Sequence, residues 1–88
     1  MIVLIADDEK LVRFALKSML KDILGESKDI FLEVANGQDM VAVCKERKPD
    51  VVFTDIRMPY MSGLDAIAEC KKSDSAYRPG YQLYDQPP

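Results

Sequence analysis

Hydrophobic residues in this chain follow two patterns, which predict strands alternating with helices. Residues 2–6 and 51–54 are uncharged runs, as expected for central strands covered on both faces of a sheet. Residues 30–35 are also mainly apolar, but Glu33 interrupts the run and indicates a strand at a sheet edge. Elsewhere apolar residues recur every three or four positions, which is the spacing of one helix face.

Three helices are predicted between and after these strands. The first begins near Glu9 and is closed by Gly25. The second spans residues 38–47 and stops before Pro49, and the third opens at Ser62. The side chains expected to face the sheet are Val12, Leu16, Met19, Leu20 and Ile23 in the first helix, Met40, Val41 and Cys44 in the second, and Leu64, Ile67 and Ala68 in the third.

The order of these elements is βαβαβα, which predicts a fold. Helices that connect successive strands produce a parallel sheet with right-handed crossovers. Where the winding changes direction, a crevice opens outside the carboxyl ends of the strands. We therefore expect an α/β fold with a doubly wound parallel sheet and a site at that edge.

Acidic residues occupy the ends of two predicted strands. Asp7 and Asp8 follow the first strand, and Asp55 ends the third. Because Pro59 takes the chain out of the sheet soon afterwards, we expect Asp55 to be presented at the surface rather than buried. If the two strands are neighbours, all three carboxylates meet. An alternative stays open, since an Asp in these places also suits a helix cap or a turn.

Three carboxylates at close range repel one another. Each pair at 4 Å costs about 4 kcal/mol at an effective dielectric constant of 20. Either some of the groups take up protons, or a hard divalent cation such as Mg²⁺ lies between them. A cation there would neutralise an incoming phosphoryl group and leave one carboxylate to attack phosphorus. The cluster thus suggests phosphoryl transfer to an Asp.

Composition limits the classes of function. The 88 residues, 48% apolar and 31% charged, suffice for one small domain. A net charge of −3 argues against binding of nucleic acid or an anionic membrane by this segment. Cys44 and Cys70 have no CxxC spacing and the chain has no His, so we expect buried, reduced thiols and no zinc site. The apolar start is too short to span a membrane, which predicts a cytoplasmic protein.

The acidic positions and the loop after Asp55 together resemble a known family. Asp7 and Asp8 after the first strand, Asp55 ending the third, and the sequence Met-Pro-Tyr-Met-Ser-Gly at 58–63 are similar to the receiver domain of two-component response regulators. The resemblance covers residues 1–72, as the N-terminal part of such a domain. It implies a flavodoxin-like fold in an incomplete form, followed by a tail that does not match the family.

The resemblance also implies roles for individual residues. Asp55 would be the phosphoacceptor and a Mg²⁺ ligand, and Asp8 would bind Mg²⁺ directly. Asp7 would act through a water molecule, and the backbone carbonyl of Arg57 would complete the protein ligands. The donor would be the phosphohistidine of a sensor histidine kinase, for which the first helix is a candidate docking surface. The sequence of this loop resembles that of regulators which carry a helix-turn-helix DNA-binding domain. This resemblance implies a role in transcription regulation.

The chain departs from the family near its end. The family has a Ser or Thr at the end of the fourth strand and a Lys at the end of the fifth, whereas this chain ends before a fifth strand and has no Lys after Lys72. Leu83, Tyr84 and Asp85 lie near the expected end of the fourth strand. None is Ser or Thr, and a Tyr hydroxyl lies too far from its backbone for a simple replacement.

Residues 73–88 form a divergent, polar, Tyr-rich tail with room for one short strand at residues 81–84. A gene product altered at its end, foreign residues and a natural short variant all remain open as its origin. Because the third strand would otherwise have a bare edge, we expect the tail to pair with it as a makeshift strand, or the protein to self-associate through the sheet edge.

Two functions are consistent with these features of the sequence. The first is a signalling module, not an enzyme, in which Asp55 accepts phosphate and relays the signal to an effector. The alternative is an interaction module that no longer accepts phosphate. A hydrolytic phosphatase is a weaker interpretation, because Arg57 occupies the place where such enzymes commonly have a second Asp.

Overall fold

Strands and helices alternate along the whole described chain. The structure is a computed structural model, and it describes residues 1–25 and 28–85; residues 86–88 of the predicted tail lie outside this range. Within these residues, no helix has the length and hydrophobicity that a membrane-spanning segment needs. The elements are β1 (Ile2–Ala6), α1 (Lys10–Leu24), β2 (Ile30–Val34), α2 (Gly37–Arg47), β3 (Val51–Asp55), α3 (Gly63–Ser73) and β4 (Gly80–Tyr84).

The described strands form one parallel sheet in the order β2-β1-β3-β4. β2 lies at an edge, as the charge of Glu33 predicted, and β1 lies beside β3. The chain thus starts in the middle of the sheet, winds outwards to β2, and then returns past β1 to β3 and β4. This reversal confirms the predicted doubly wound α/β fold, and it opens the crevice between β1 and β3.

The larger core lies between the sheet and the helices α2 and α3. Leu4, Ala6 and Val52 of the sheet are fully buried there. The prediction for α2 is confirmed, and so is that for Ile67 in α3, whereas Leu64 and Ala68 of α3 are exposed. The buried face of α3 keeps the predicted helical spacing, but the helix is rotated about its axis relative to the prediction. Its buried residues are Gly63, Ala66, Ile67 and Cys70.

Helix α1 covers the opposite face, over Val3 and Ile5. No residue of α1 is fully buried, and Met19 and Ile23, which were predicted to face the sheet, are 56% and 76% exposed. The prediction failed because α1 is the only helix in the described residues on that face, so its flanks meet solvent. Gly25 ends the helix with φ 62°, in agreement with its predicted role.

The segment after α3 is fixed to the sheet. The Tyr77 hydroxyl donates to the Pro49 carbonyl at 2.6 Å, and the Gly80 N–H donates to the Asp50 carbonyl at 3.0 Å. β4 then pairs with all of β3. Tyr81 packs against the core beside α3, where burial raises its pKa to about 12. Of the two expectations for this segment, strand pairing is the one observed.

Both cysteines are free and buried in the core between α2 and α3, as the sequence predicted. The neighbouring Cys70 thiol and then burial raise the pKa of Cys44 above its usual range. Since the thiolate is the reactive form of cysteine, Cys44 is a packing residue.

Gly63 begins α3 where this helix approaches the end of β3. A Cβ atom at this position would lie 2.8 Å from Thr54 Oγ1 and would clash with the Asp55 carbonyl oxygen. The Gly63 N–H also donates to the Ile56 carbonyl at 2.8 Å. Glycine therefore allows α3 to support the strand end that carries Asp55.

We expect Gly63→Ala to lower the free energy of unfolding by about 1–3 kcal/mol, because a methyl group is forced into a packed position. Gly80→Ala is the matched control, since its Cβ would lie 3.5 Å from Val51 Cγ2, an ordinary contact. Urea denaturation followed by circular dichroism measures both variants. Equal stabilities of the two would contradict the close approach at Gly63.

Candidate functional site

Three carboxylates meet at the C-terminal edge of the sheet. Asp7 and Asp8 follow β1, and Asp55 is the last residue of β3. One oxygen from each side chain lies within 4.8 Å of the others. The structure therefore brings together the two acidic segments that the topology predicted to converge.

Strand register produces this meeting. β1 and β3 are parallel neighbours, and Ala6 is paired with Thr54, so that Asp7 and Asp55 come next on each strand. The Asp7 N–H donates to the Val34 carbonyl of β2 at 3.1 Å, which holds Asp7 in line with the sheet. The positions of both side chains thus follow from backbone pairing.

The three carboxylates differ in their exposure to solvent. Asp7 is 0% exposed and Asp55 is 4% exposed, whereas Asp8 is exposed. The expectation that Asp55 is presented at the surface was therefore wrong. Its carboxylate accepts a hydrogen bond from the Arg57 N–H at 3.3 Å, through the turn that follows the strand.

Tyr84 contacts the acidic cluster, a role that the sequence did not predict. It is paired with Asp55 at the end of β4, and its hydroxyl donates to Asp7 Oδ2 at 2.7 Å. Burial, then the hydrogen bond to Asp7 and the charges of Asp7 and Asp55, raise the pKa of Tyr84 above its usual value. The hydroxyl therefore keeps its proton and remains a donor at neutral pH.

Asp7 is held on several sides. Its Oδ1 accepts from the Glu9 N–H at 2.8 Å, while Oδ2 accepts from Tyr84. The Arg13 Nη1 atom donates to the Asp7 backbone carbonyl at 2.6 Å. Glu9 occupies the N-cap of α1 without a side-chain capping bond, so the acidic segment does not cap α1 through Glu9. These donors offset part of the repulsion within the cluster.

The loop after β3 is tied to the end of β4. The Ile56 N–H donates to the Tyr84 carbonyl at 2.9 Å, and the Arg57 guanidinium pairs with Asp85 at 2.7 Å. Both side chains of that ion pair are exposed, so its contribution to stability is about 0–1 kcal/mol. The role of the Arg57 carbonyl as a metal ligand stays a prediction.

The donor set is chemically suited to Mg²⁺. The three side chains offer only oxygen atoms, which this ion prefers, and the exposed position of Asp8 leaves room for the waters that Mg²⁺ usually retains. A cation at this place would also relieve the repulsion among the carboxylates.

Comparison with known proteins identifies relatives of this chain by sequence. The chain is 45% identical to the chemotaxis protein CheY of Thermotoga maritima over 73 residues, which are 82% of this chain and 58% of that protein. It is 42% identical to the transcriptional regulatory protein PdtaR of Mycobacterium tuberculosis over 67 residues, or 76% and 31% of the two chains. The chain thus spans less than two thirds of either relative.

A solved structure of a response regulator domain has a similar fold. The response regulator domain of Thermotoga maritima CheB superposes with a TM-score of 0.72 at 28% identity, over 94% of this chain and 58% of that one. Residues 3–79 match the sequence profile of the family described as the response regulator receiver domain. This match extends beyond residue 72, where the motif resemblance ended. On the strength of these residues, the chain belongs to the response regulator receiver domain family.

Proposed function

We propose that this chain accepts a phosphoryl group on Asp55 from the phosphohistidine of a sensor histidine kinase. The observation that carries the proposal is the meeting of Asp7, Asp8 and Asp55, with oxygens within 4.8 Å, at the crevice of the sheet. Ligands of doubly wound proteins bind at this place. In the proposal, Asp8, Asp55 and the Arg57 carbonyl hold Mg²⁺ directly, and Asp7 holds it through water.

The transfer is a displacement at phosphorus. An oxygen of the Asp55 carboxylate forms the new P–O bond, and the P–N bond to the donor histidine breaks. The electron pair of that bond stays on the imidazole nitrogen, which takes up a proton. A Mg²⁺ ion held by these residues would supply positive charge that offsets the negative charge of the phosphoryl group. The Arg57 N–H orients the Asp55 carboxylate for attack.

The product is a signal rather than a released compound. Arg57 stands where hydrolytic enzymes of this kind commonly carry a second Asp, so we propose a signalling module and not an enzyme. One relative is named a transcriptional regulatory protein, which supports an output in transcription. The cytoplasm, predicted from the sequence, is the proposed compartment.

With Mg²⁺ and acetyl phosphate, the wild-type chain is expected to gain one phosphate, and Asp55→Asn none, because the amide is not a nucleophile for this step. Intact-mass spectrometry measures the adduct. Asp65→Asn, an exposed Asp in the first turn of α3, is the control and should react as the wild type does. An unmodified wild type, or an adduct on Asp55→Asn, would contradict the proposal.

Asp8→Asn is expected to weaken Mg²⁺ binding at least about tenfold, since a charged direct ligand becomes neutral. Isothermal titration calorimetry measures the affinity. Glu9→Gln removes the same charge one residue away from the cluster and is expected to change the affinity for Mg²⁺ less than twofold. In a separate experiment, removal of Mg²⁺ with EDTA should abolish phosphorylation of the wild type. An equal loss of Mg²⁺ affinity in Asp8→Asn and Glu9→Gln would show that the affinity depends only on net charge, and would contradict the role of Asp8 as a ligand.

A second candidate function is an interaction module that works through the edge of β4. In the described residues this edge has no strand partner, and Leu83 on it is 37% exposed. Such an edge offers its backbone groups to another strand. Two copies that pair through β4 would form a continuous sheet, and this does not require Asp55 to accept phosphate.

Leu83→Pro tests this candidate. The Gly80 N–H donates to Asp50, just before β3, and the Tyr84 carbonyl accepts from Ile56, just after it. By alternation the Leu83 N–H therefore points away from β3. Proline at this position removes an outward donor and spares the bonds to β3. If β4 mediates association, light scattering will show a dimer at high concentration for the wild type and a monomer for the variant. A monomeric wild type would exclude this candidate.

A further inference from the structure

The Tyr84 side chain crosses the end of β3. Its backbone belongs to β4 and its hydroxyl contacts Asp7 after β1, while β3 lies between these two strands. The outer strands of such a triplet are about 10 Å apart. A tyrosine and an aspartate side chain together bridge that distance only by passing over the residue at the end of the middle strand, which is Asp55.

Strand alternation places the groups on one face. Asp55 and Tyr84 are register partners on parallel strands, so their side chains project to the same side of the sheet. Thr54, the neighbour of Asp55, points to the other side, towards Gly63 of α3. The 4% exposure of Asp55 agrees with a ring that lies across its carboxylate.

The backbone of Tyr84 is fixed from two directions. The Ile56 N–H donates to its carbonyl, and the next residue, Asp85, pairs with Arg57. Uncovering Asp55 therefore requires rotation of the Tyr84 side chain and rupture of its bond to Asp7, while β4 keeps its place in the sheet.

We propose that Tyr84 is a lid over the phosphoacceptor: its hydroxyl bond to Asp7 holds the lid closed, and a phosphoryl donor reaches Asp55 only when that bond opens. This inference rests on the proposed function of Asp55. The hydroxyl donates to Asp7 Oδ2, so it is engaged by Asp7 while the lid is closed.

The lid also limits what Asp7 offers to a cation. Asp7 Oδ1 accepts from Glu9 and Oδ2 accepts from Tyr84, so a metal-bound water must share an oxygen that already has a donor. Loss of the Tyr84 hydroxyl removes one donor from Oδ2 and leaves the charge of the cluster less compensated. Both changes favour cation binding.

The test compares wild type, Tyr84→Phe, which keeps the ring without its anchor, and Tyr84→Ala, which removes the ring. Acetyl phosphate is the donor: the Asp55 oxygen bonds to phosphorus, the bond from phosphorus to the acetate oxygen breaks, and acetate leaves with the electron pair. Initial rates of the mass adduct are expected to rise about tenfold in Tyr84→Phe, because a hydrogen bond to a carboxylate shifts an equilibrium by about that factor. Tyr84→Ala should react at least as fast.

Tyr81→Phe is the matched control, since Tyr81 lies on the same strand but packs against the opposite core. Its rate should equal that of the wild type. Equal rates for wild type and Tyr84→Phe, or a slower variant, would overturn the lid. A thermal melt of each variant separates the two roles, because a merely structural Tyr84 would lower the melting temperature without accelerating the reaction.

Mg²⁺ titration distinguishes failure of the lid from failure of the proposed function. We expect Tyr84→Phe to bind Mg²⁺ several-fold more tightly than the wild type. If no variant takes up phosphate but this difference is present, the phosphoacceptor role is wrong, and what stands is only that the Tyr84 hydroxyl competes with the cation for Asp7. If the wild type is phosphorylated and both rate and affinity are unchanged in Tyr84→Phe, the function stands and the lid is wrong.

Discussion

The parallel pairing of β1 with β3 is the constraint on which the rest of this structure depends. It aligns Ala6 with Thr54, and so brings Asp7 next to Asp55 from distant parts of the chain. The pairing is stabilised by apolar side chains that have no chemical role, since Leu4 and Val52 are buried under α2 and α3. Burial of one such side chain contributes about 1.5–3 kcal/mol. The core of the sheet thus supplies the free energy that holds like charges together.

Hydrogen-bond donors reduce the repulsion among the carboxylates, and the donors named here contact Asp7 rather than Asp8. Asp7 accepts from Glu9 and from Tyr84 and is buried, while Asp8 remains in solvent, where its charge is screened. A hydrogen bond to a carboxylate contributes about 1.5–3 kcal/mol, which is comparable to one close charge repulsion. The crevice therefore retains a negative side towards solvent, where a hard cation has both ligands and access to water.

The sequence predicted what depends on local pattern and on topology. The uncharged runs indicated β1 and β3, the charge of Glu33 indicated an edge strand, and the alternation of strands with helices predicted the meeting of Asp7 and Asp55. It failed where packing selects among several apolar residues. Leu64 has the spacing of a core residue, but Gly63 must approach β3, and this turns Ala66 inwards beside Ile67, whose burial was predicted. Met19 and Ile23 fit the helical period, but a single helix covers only part of its face of the sheet.

Tyr84 shows why the burial of Asp55 was not predicted from its own surroundings. The exposure of the last residue of a strand depends on the side chains that the neighbouring strands place beside it, and β4 lies in a segment without a clear strand pattern. The Tyr77 hydroxyl on Pro49, the Gly80 N–H on Asp50 and the backbone pairing of β4 place this segment at the edge of β3. Tyr84 contributes its backbone carbonyl to this pairing, so a large side chain can stand at that position, and its hydroxyl donates to the buried Asp7.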